Sequence, residues 1–446
     1  MHAAPETGTE TEAPDTGTRT DRKALRRVIG ASAVGTTLEW YDHFIYGSAA
    51  ALVFPKLFFP DSDPAAATML SLVTYSVAFV TRPLGAAIFG HYGDKYGRKN
   101  VLILTLILMG AATGLIGLVP TYQSIGILAP LLLVLLRFIQ GIGLGGEWGG
   151  AALMVGESSS DGKRGLLGSL VQIASPLGLL LANGVFSVIT FMVSEEAFFA
   201  WGWRVPFLLS TFLVLIGLWI RRQVQESPLF EEEAATEESR KAPLVEVVTR
   251  HWRPLLLAIG SRIGSDVCFY VFNVFILVYG TTQIGVDRQT LLTAVLFGAV
   301  SQAVSIPLWG HLCDRIGRRP ILIIGAVGAM TWCFAFFPVL DSGNDALVYA
   351  APAVGNFFIA AMWGPLAAFV PELFPTRVRY TGAGLGFQSA GVFGGALAPI
   401  ITAALVAAYD TWVPVAVYLA VLLAILVACV AAARETAAAD LREIEG

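Results

Sequence analysis

Twelve stretches of mostly apolar residues, each long enough to cross a bilayer, recur along this chain and leave few folds open to it. They fall at about 28–53, 66–91, 101–120, 124–155, 165–193, 204–222, 254–280, 290–312, 321–340, 346–370, 381–408 and 412–433. A hydrocarbon core needs about 20 apolar residues per helical crossing. Within it every backbone polar group must be satisfied inside the segment, so each stretch reads as a helix. Only 14% of the 446 residues are charged and the mean hydropathy is +0.68, whereas soluble domains carry about a quarter charged residues. The formal net charge of −4 offers no nucleic-acid footprint. Cys268, Cys313, Cys333 and Cys429 lack paired spacing: three lie in apolar runs and Cys313 in a predicted loop, which indicates neither disulfides nor a metal site.

The polar breaks set the organisation. Residues 1–27 are polar without an apolar core and read as a disordered cytoplasmic tail, not a signal peptide. Spans one to six occupy 28–222 and spans seven to twelve 254–433. Between them 223–253, with Glu231, Glu232, Glu233, Glu237 and Glu238, reads as a central cytoplasmic loop, and 434–446 as a second tail. Lys95, Arg98, Lys99, Lys163, Arg164, Arg315, Arg318, Arg319, Arg377 and Arg379 gather on the side of the N-terminus, against Lys56, Arg204 and Arg288 opposite. The excess of basic residues marks the cytoplasmic side, so both termini are expected there.

An internal repeat divides the chain in two. GHYGDKYGRK runs from Gly90 to Lys99 and GHLCDRIGRR from Gly310 to Arg319, an offset of 220 residues. Each is followed by a glutamate seven residues ahead of an arginine, Glu157 with Arg164 and Glu372 with Arg379, at an offset of 215. Two motifs duplicated at nearly one offset predict two pseudo-symmetric six-helix bundles. Gly97 and Gly317 suit a tight reversal. Asp94 and Asp314 can accept backbone N–H bonds at a helix start. Arg98 and Arg318 can pair with Glu157 and Glu372, or share them with Arg164 and Arg379. Such pairs would form two cytoplasmic latches; alternatively the basic residues only anchor the loops.

Several segments spread over both halves resemble a known family: TTLEWYDHFIYG (36–47), TRPLGAAIFGHYGDKYGRK (81–99), RFIQGIGLGGEWGGAALM (137–154), WGWRVPFLLS (201–210), ESPLF (226–230) and WGPLAAFVPELFPTRVRYTGAGLGF (363–387). The chain is similar to the major facilitator superfamily and, within it, to the metabolite:proton symporters that include shikimate, 2-oxoglutarate and proline/betaine carriers. The resemblance implies an all-α integral membrane protein of the bacterial cytoplasmic membrane that works by alternating access. In related sugar/proton symporters an aspartate of helix 1 pairs with an arginine of helix 4, and Asp42 and Arg137 look like that pair. His43 departs from the family's usual aromatic residue.

Ionisable groups inside the bilayer cost about 2.5–3.5 kcal/mol each on insertion scales and are functional by default. Glu39 and Asp42 share a face of helix 1, and with Arg137 they are the candidate proton-coupling residues. The imidazole of His43 is a further titratable group. Polar and aromatic candidates for a substrate cavity are Tyr41, Arg82, Gln172, Arg262, Asp266, Tyr270, Asn273, Asn356, Trp363 and Gln388; for each aromatic the plain alternative is packing, and Arg262 and Asp266 could simply neutralise one another. Arg82, Arg137 and Arg262 suit an anionic metabolite, since guanidinium matches a carboxylate.

GESSSDGKR (156–164) fails the P-loop pattern, with five residues between its glycines and Arg164 where Ser or Thr is required. No catalytic motif such as H-E-x-x-H or G-x-S-x-G occurs. The expectation is a transporter, not an enzyme, with no cofactor and no metal, its partners a small organic acid, protons and the lipid bilayer, and functional as a monomer. A zwitterionic osmolyte as cargo, or export by the same fold, are the competing readings.

Overall fold

The computed structural model describes residues 17–96, 98–146, 162–222 and 243–437. Among these, eleven helices are long and apolar enough to span a bilayer: α2 (Ala66–Tyr92 of Pro64–Tyr96), α3 (Asn100–Leu118), α4 (Leu128–Gly145), α5 (Arg164–Met192), α6 (Gly202–Trp219), α7 (Trp252–Tyr279), α8 (Gln289–Ile316), α9 (Arg318–Leu340), α10 (Asp345–Phe369), α11 (Thr376–Tyr409) and α12 (Val413–Ala432). The twelfth, α1 (Gly17–Leu52), buries Glu39, Asp42 and His43 in its apolar stretch.

The two halves repeat one packing scheme. α1 lies against α5 and α6, α2 and α3 against α4, and α3 against α6. Six helices later α7 lies against α11 and α12, α8 and α9 against α10, and α9 against α12. Where the halves meet, α2 runs beside α11 and α5 beside α8 and α10.

Apolar side chains point outward as well as inward, as lipid demands. Val73, Val80, Leu84 and Ile88 form an exposed face of α2, while Tyr75, Phe79 and Arg82 on its other side are buried. Lipid tails are as apolar as leucine, so helices associate through close packing and small residues. The seam between α2 and α4 is built on this: a side chain at Gly85 would meet the carbonyl of Ile142, and one at Gly145 the carbonyl of Arg82.

Three features differ from the sequence reading. The first helix begins at Gly17, so residues 17–27, expected within a disordered tail, are helical. The repeated motif is mostly helix, not loop: α2 runs to Tyr96 and α8 to Ile316, so Cys313, expected in a loop, is buried within α8. Apolarity marks the lipid-facing length of a helix, whereas the backbone ladder continues beyond it, with Gly317 N–H still donating to the Cys313 carbonyl at 3.2 Å. The chain then reverses at Gly317, whose φ of 113° favours glycine. Part of the expected central loop is also helical: Pro243–Arg250 buries Pro243 and Val247 and offers Glu246 to Arg377 near the start of α11. Residues 223–242 lie outside the described residues.

Overpacking a tight seam costs about 1–3 kcal/mol or more. Gly145→Val is expected to lower the thermal midpoint of the solubilised protein by several degrees, while Gly184→Ala, where an added Cβ meets nothing within 4 Å, leaves it nearly unchanged. Equal midpoints would contradict this packing.

Candidate functional site

Two clusters of buried polar side chains tie the halves together, one at the motif end of the bundle and one at mid-depth. The motif-end cluster centres on Asp314. Its two oxygens accept the backbone N–H groups of Gly165 and Leu166, both at 2.8 Å, from the first turn of α5 in the other half. Those donors have no partner within their own helix and carry the positive end of its dipole, so a carboxylate is favoured there. Arg318 reaches back to Asp314 at 2.7 Å and to Glu372 at 3.4 Å, and Arg164 approaches Glu372 from across the seam, also at 3.4 Å. Gly310 leaves room for Ser169 and the Gly165 carbonyl, and Gly90 faces Thr381 in the equivalent place. Arg379 is buried and donates to the Phe374 carbonyl at 3.1 Å. The side chains of Asp94 and Arg98, and all of Gly97 and Glu157, lie outside the described residues.

A residue that the motif does not announce completes the cluster. Glu435, just after α12, accepts the N–H groups of Arg318 and Arg319 at the start of α9, at 2.8 and 3.0 Å. Thr436 donates its hydroxyl to Glu372. Burial raises the carboxyl of Glu372 above its usual range, only partly offset by Arg318 and Arg164. For Glu435 the desolvation is outweighed by the donated N–H groups, and its carboxyl is held below the usual range.

At mid-depth, Asp42 faces into its own half: Thr113 of α3 donates to Oδ2 at 2.9 Å, and Ser210 of α6 donates to Oδ1. Arg137 connects to Asp42 through two side chains where the sequence reading expects a direct pair: its guanidinium donates to Gln140, and Gln140 to the Thr113 hydroxyl at 2.8 Å. Its other end reaches the Tyr75 carbonyl at 3.1 Å, and its charge lies 4.0 Å from the Tyr46 ring centre. Glu39 is buried on the same helix.

Arg82 lies at the seam. It donates to Nδ1 of His43 at 3.1 Å and lies 4.3 Å from the Phe79 ring centre. The Nε atoms of Arg82 and Arg137 are buried without an acceptor, and among the described residues no carboxylate pairs with either guanidinium. Arg262 differs: Asp266, one turn along α7, holds it with two contacts of 3.1 Å. This pair matches the mutual-neutralisation alternative and leaves Arg262 no spare charge in this state.

The remaining candidates divide. Tyr270 meets Nε2 of His43 across the seam at 3.2 Å, Gln172 donates to the Trp363 carbonyl at 3.4 Å, and Gln388 to the Leu144 carbonyl at 3.2 Å. Trp363 stacks on Phe269 at 5.7 Å and lies 5.6 Å from Trp40, its indole N–H buried without a partner. Tyr41 gives its hydroxyl to the Pro206 carbonyl at 2.9 Å, inside its own half. Asn273 and Asn356 exchange hydrogen bonds at 3.2 and 3.0 Å and each also donates to its own helix, so both amides serve as a tie between α7 and α10. Sequence reasoning missed Tyr75, Gln140 and Gln302. Gln302, fully buried in α8 with neither amide atom partnered, is a polar residue inside a predicted span, and that signal could have found it. A widened helical turn at Val271–Phe275 follows Tyr270 directly, and such turns often mark functional sites.

Two six-helix halves that meet at the motif end and at mid-depth in buried charged and aromatic side chains give the architecture of a membrane transporter. The profile of the Major Facilitator Superfamily matches residues 30–399 and 298–445, and the chain belongs to that family, among its metabolite transporters. It is 43% identical to the inner membrane metabolite transport protein YhjE of Escherichia coli over 86% of this chain and 88% of that one. It is 40% identical to the shikimate transporter of the same organism, over 91% and 93%. The fold matches the proton:xylose symporter XylE at a TM-score of 0.75 and 19% identity, over 95% of this chain and 98% of that one.

Asp314→Asn removes the charge that holds the start of α5. Distances between spin labels on the motif ends of α5 and α8 are expected to shift toward a longer, broader population, and an unchanged distribution would contradict the latch. Glu435, lowered in the folded protein, contributes stability that is present above the ordinary carboxylate pKa of about 4.3 and is lost as pH falls through the lowered value. Glu435→Gln is expected to lower the thermal midpoint near neutral pH and to flatten its acid limb.

Proposed function

We propose that this chain imports a small carboxylate metabolite together with protons across the bacterial cytoplasmic membrane. One observation carries the reading: Arg82 and Arg137 are buried at mid-depth without a carboxylate on either among the described residues. A buried charge is costly unless it is paired, and an anionic cargo supplies what is missing. A shikimate transporter among the relatives fits a carboxylate cargo.

The excess of lysine and arginine at the motif end sets that end in the cytoplasm, with both termini there. The Asp314 and Glu372 contacts are then a closed cytoplasmic gate, and Asp94, Arg98 and Glu157 its counterpart in the repeat. The six-helix halves 28–222 and 254–433, joined by 223–253, rock about the seam. Asp42, relayed to Arg137 through Gln140 and Thr113, is a carboxylate whose proton affinity depends on how near that guanidinium lies, and Glu39 stands one turn away. A single chain contains the whole path, so a monomer suffices.

The test is uptake into proteoliposomes over shikimate, 2-oxoglutarate, citrate, benzoate, proline and betaine. Accumulation of a carboxylate that depends on a pH gradient is expected; transport confined to the zwitterions, or uptake indifferent to the gradient, would overturn the corresponding half of the reading. Arg82→Gln is expected to raise the half-saturating concentration at least tenfold. Asp42→Asn should keep counterflow and lose gradient-driven accumulation.

A further inference from the structure

His43 carries more contacts than a packed ring requires. It is 1% exposed, and both ring nitrogens are engaged. A guanidinium has donors only, so the 3.1 Å contact from Arg82 to Nδ1 fixes Nδ1 as the lone-pair side. The ring is therefore neutral, with its hydrogen on Nε2. That nitrogen faces the hydroxyls of Tyr75 and Tyr270, which lie 3.4 Å from each other. Trp40 and Phe79 meet the ring nearly edge-on, at 85° and 89°.

The groups around it come from four helices. α2 offers Tyr75 and Arg82, and α4 offers Arg137, which lies 5.3 Å from the Tyr75 ring centre. α7 offers Tyr270, with the Arg262–Asp266 pair one turn along. On its own helix, Asp42 is turned toward Thr113 and Ser210, and Glu39 lies one turn away. Two cations thus stand near an imidazole whose one lone pair is already taken by one of them.

We propose that His43 and Arg82 form one seat that takes a carboxylate and a proton together. The proposal rests on reading Arg82 as a group that meets the cargo. A proton from the outer solution forms the N–H bond at Nδ1, and the hydrogen bond from Arg82 to that nitrogen breaks. The entering carboxylate then accepts from both Arg82 and the new Nδ1–H. Without the carboxylate, imidazolium and guanidinium would repel; without the proton, the carboxylate would face a lone pair. Each ligand raises the affinity for the other by the same factor, so proton and anion are coupled through direct contact. When the carboxylate leaves inward, the proton on Nδ1 goes to the cytoplasm and Arg82 returns to the bare nitrogen. Because Tyr270 belongs to the second half, a change in the ring's protonation is felt across the seam on which the halves move.

The test uses the full chain in lipid nanodiscs, labelled with nitrogen-15 at histidine and arginine, with His43 assigned by its loss in His43→Gln and Arg82 by its loss in Arg82→Gln. Shikimate, 2-oxoglutarate and benzoate are the probes, at constant pH. Without a probe, His43 is expected to show the neutral form protonated on Nε2. A probe that shifts the Arg82 signal is expected to convert His43 to the imidazolium pattern. If a probe shifts Arg82 while His43 stays neutral, the joint seat is wrong and the carboxylate reading stands. If no probe shifts Arg82, the carboxylate reading falls and the seat with it. In proteoliposomes His43→Gln, which keeps an acceptor for Arg82 but cannot hold a proton, is expected to admit the carboxylate while the alkalinisation outside, counted per carboxylate taken up, falls by the one proton that the seat carries. Undiminished alkalinisation would overturn the proposal.

Discussion

A guanidinium inside a bilayer has to be answered by something. Here the answers differ from helix to helix. Arg262 has Asp266 on its own helix, and Arg318 has Asp314 and Glu372. Arg82 and Arg137 donate only to neutral acceptors and lie on aromatic faces, and the Asp266 carboxylate, which acts on Arg82 from a distance, is ion-paired to Arg262. Rings and carbonyls lessen the cost of a buried charge without neutralising it. The arrangement around them follows from that imbalance: His43 turned with a lone pair toward Arg82, Gln140 interposed toward Asp42, and the tyrosines of α2 and α7 closing on the imidazole. The proposed cargo, its charge and its coupling to protons all depend on this one unanswered need.

The motif-end cluster works on a different principle. There the charges are paired across the seam, and the donors at the start of α5 give the Asp314 carboxylate a site that only one arrangement of the halves provides. All of these contacts cross the seam, so the proposed rocking of the halves would remove both N–H bonds and the approach of Arg164 to Glu372 together. Glu435 and Thr436 make that cluster stiffer from the α12 side. In the proposed cycle this cluster reports the state of the halves, while the mid-depth site selects what passes.

Much of the fold was legible in the sequence because lipid imposes simple rules. Length and apolarity placed the spans closely, and the duplicated motif gave the two halves. The helix ends were less legible, since α8 continues to Ile316 through polar residues that no hydropathy argument includes. At the site, the sequence named Arg82, Asp42, Arg137 and Tyr270 as buried polar groups but could not say which face which. Spacing alone does not show that Gln140 stands between Arg137 and Asp42, or that Tyr41 bonds within its own half. Asn273 and Asn356 read as lining residues because each is polar at mid-depth; only their mutual bonds show them to be a tie. His43 was visible as a departure from an aromatic pattern, and its partners were not.

The central claim is that the cargo's carboxylate is what Arg82 lacks. An experimental structure of the protein with its transported compound bound tests it most directly. The account predicts the carboxylate within hydrogen-bonding distance of the Arg82 guanidinium, with the Arg82 contact to Nδ1 of His43 given up. A bound compound seated elsewhere, with Arg82 still on His43, would contradict it.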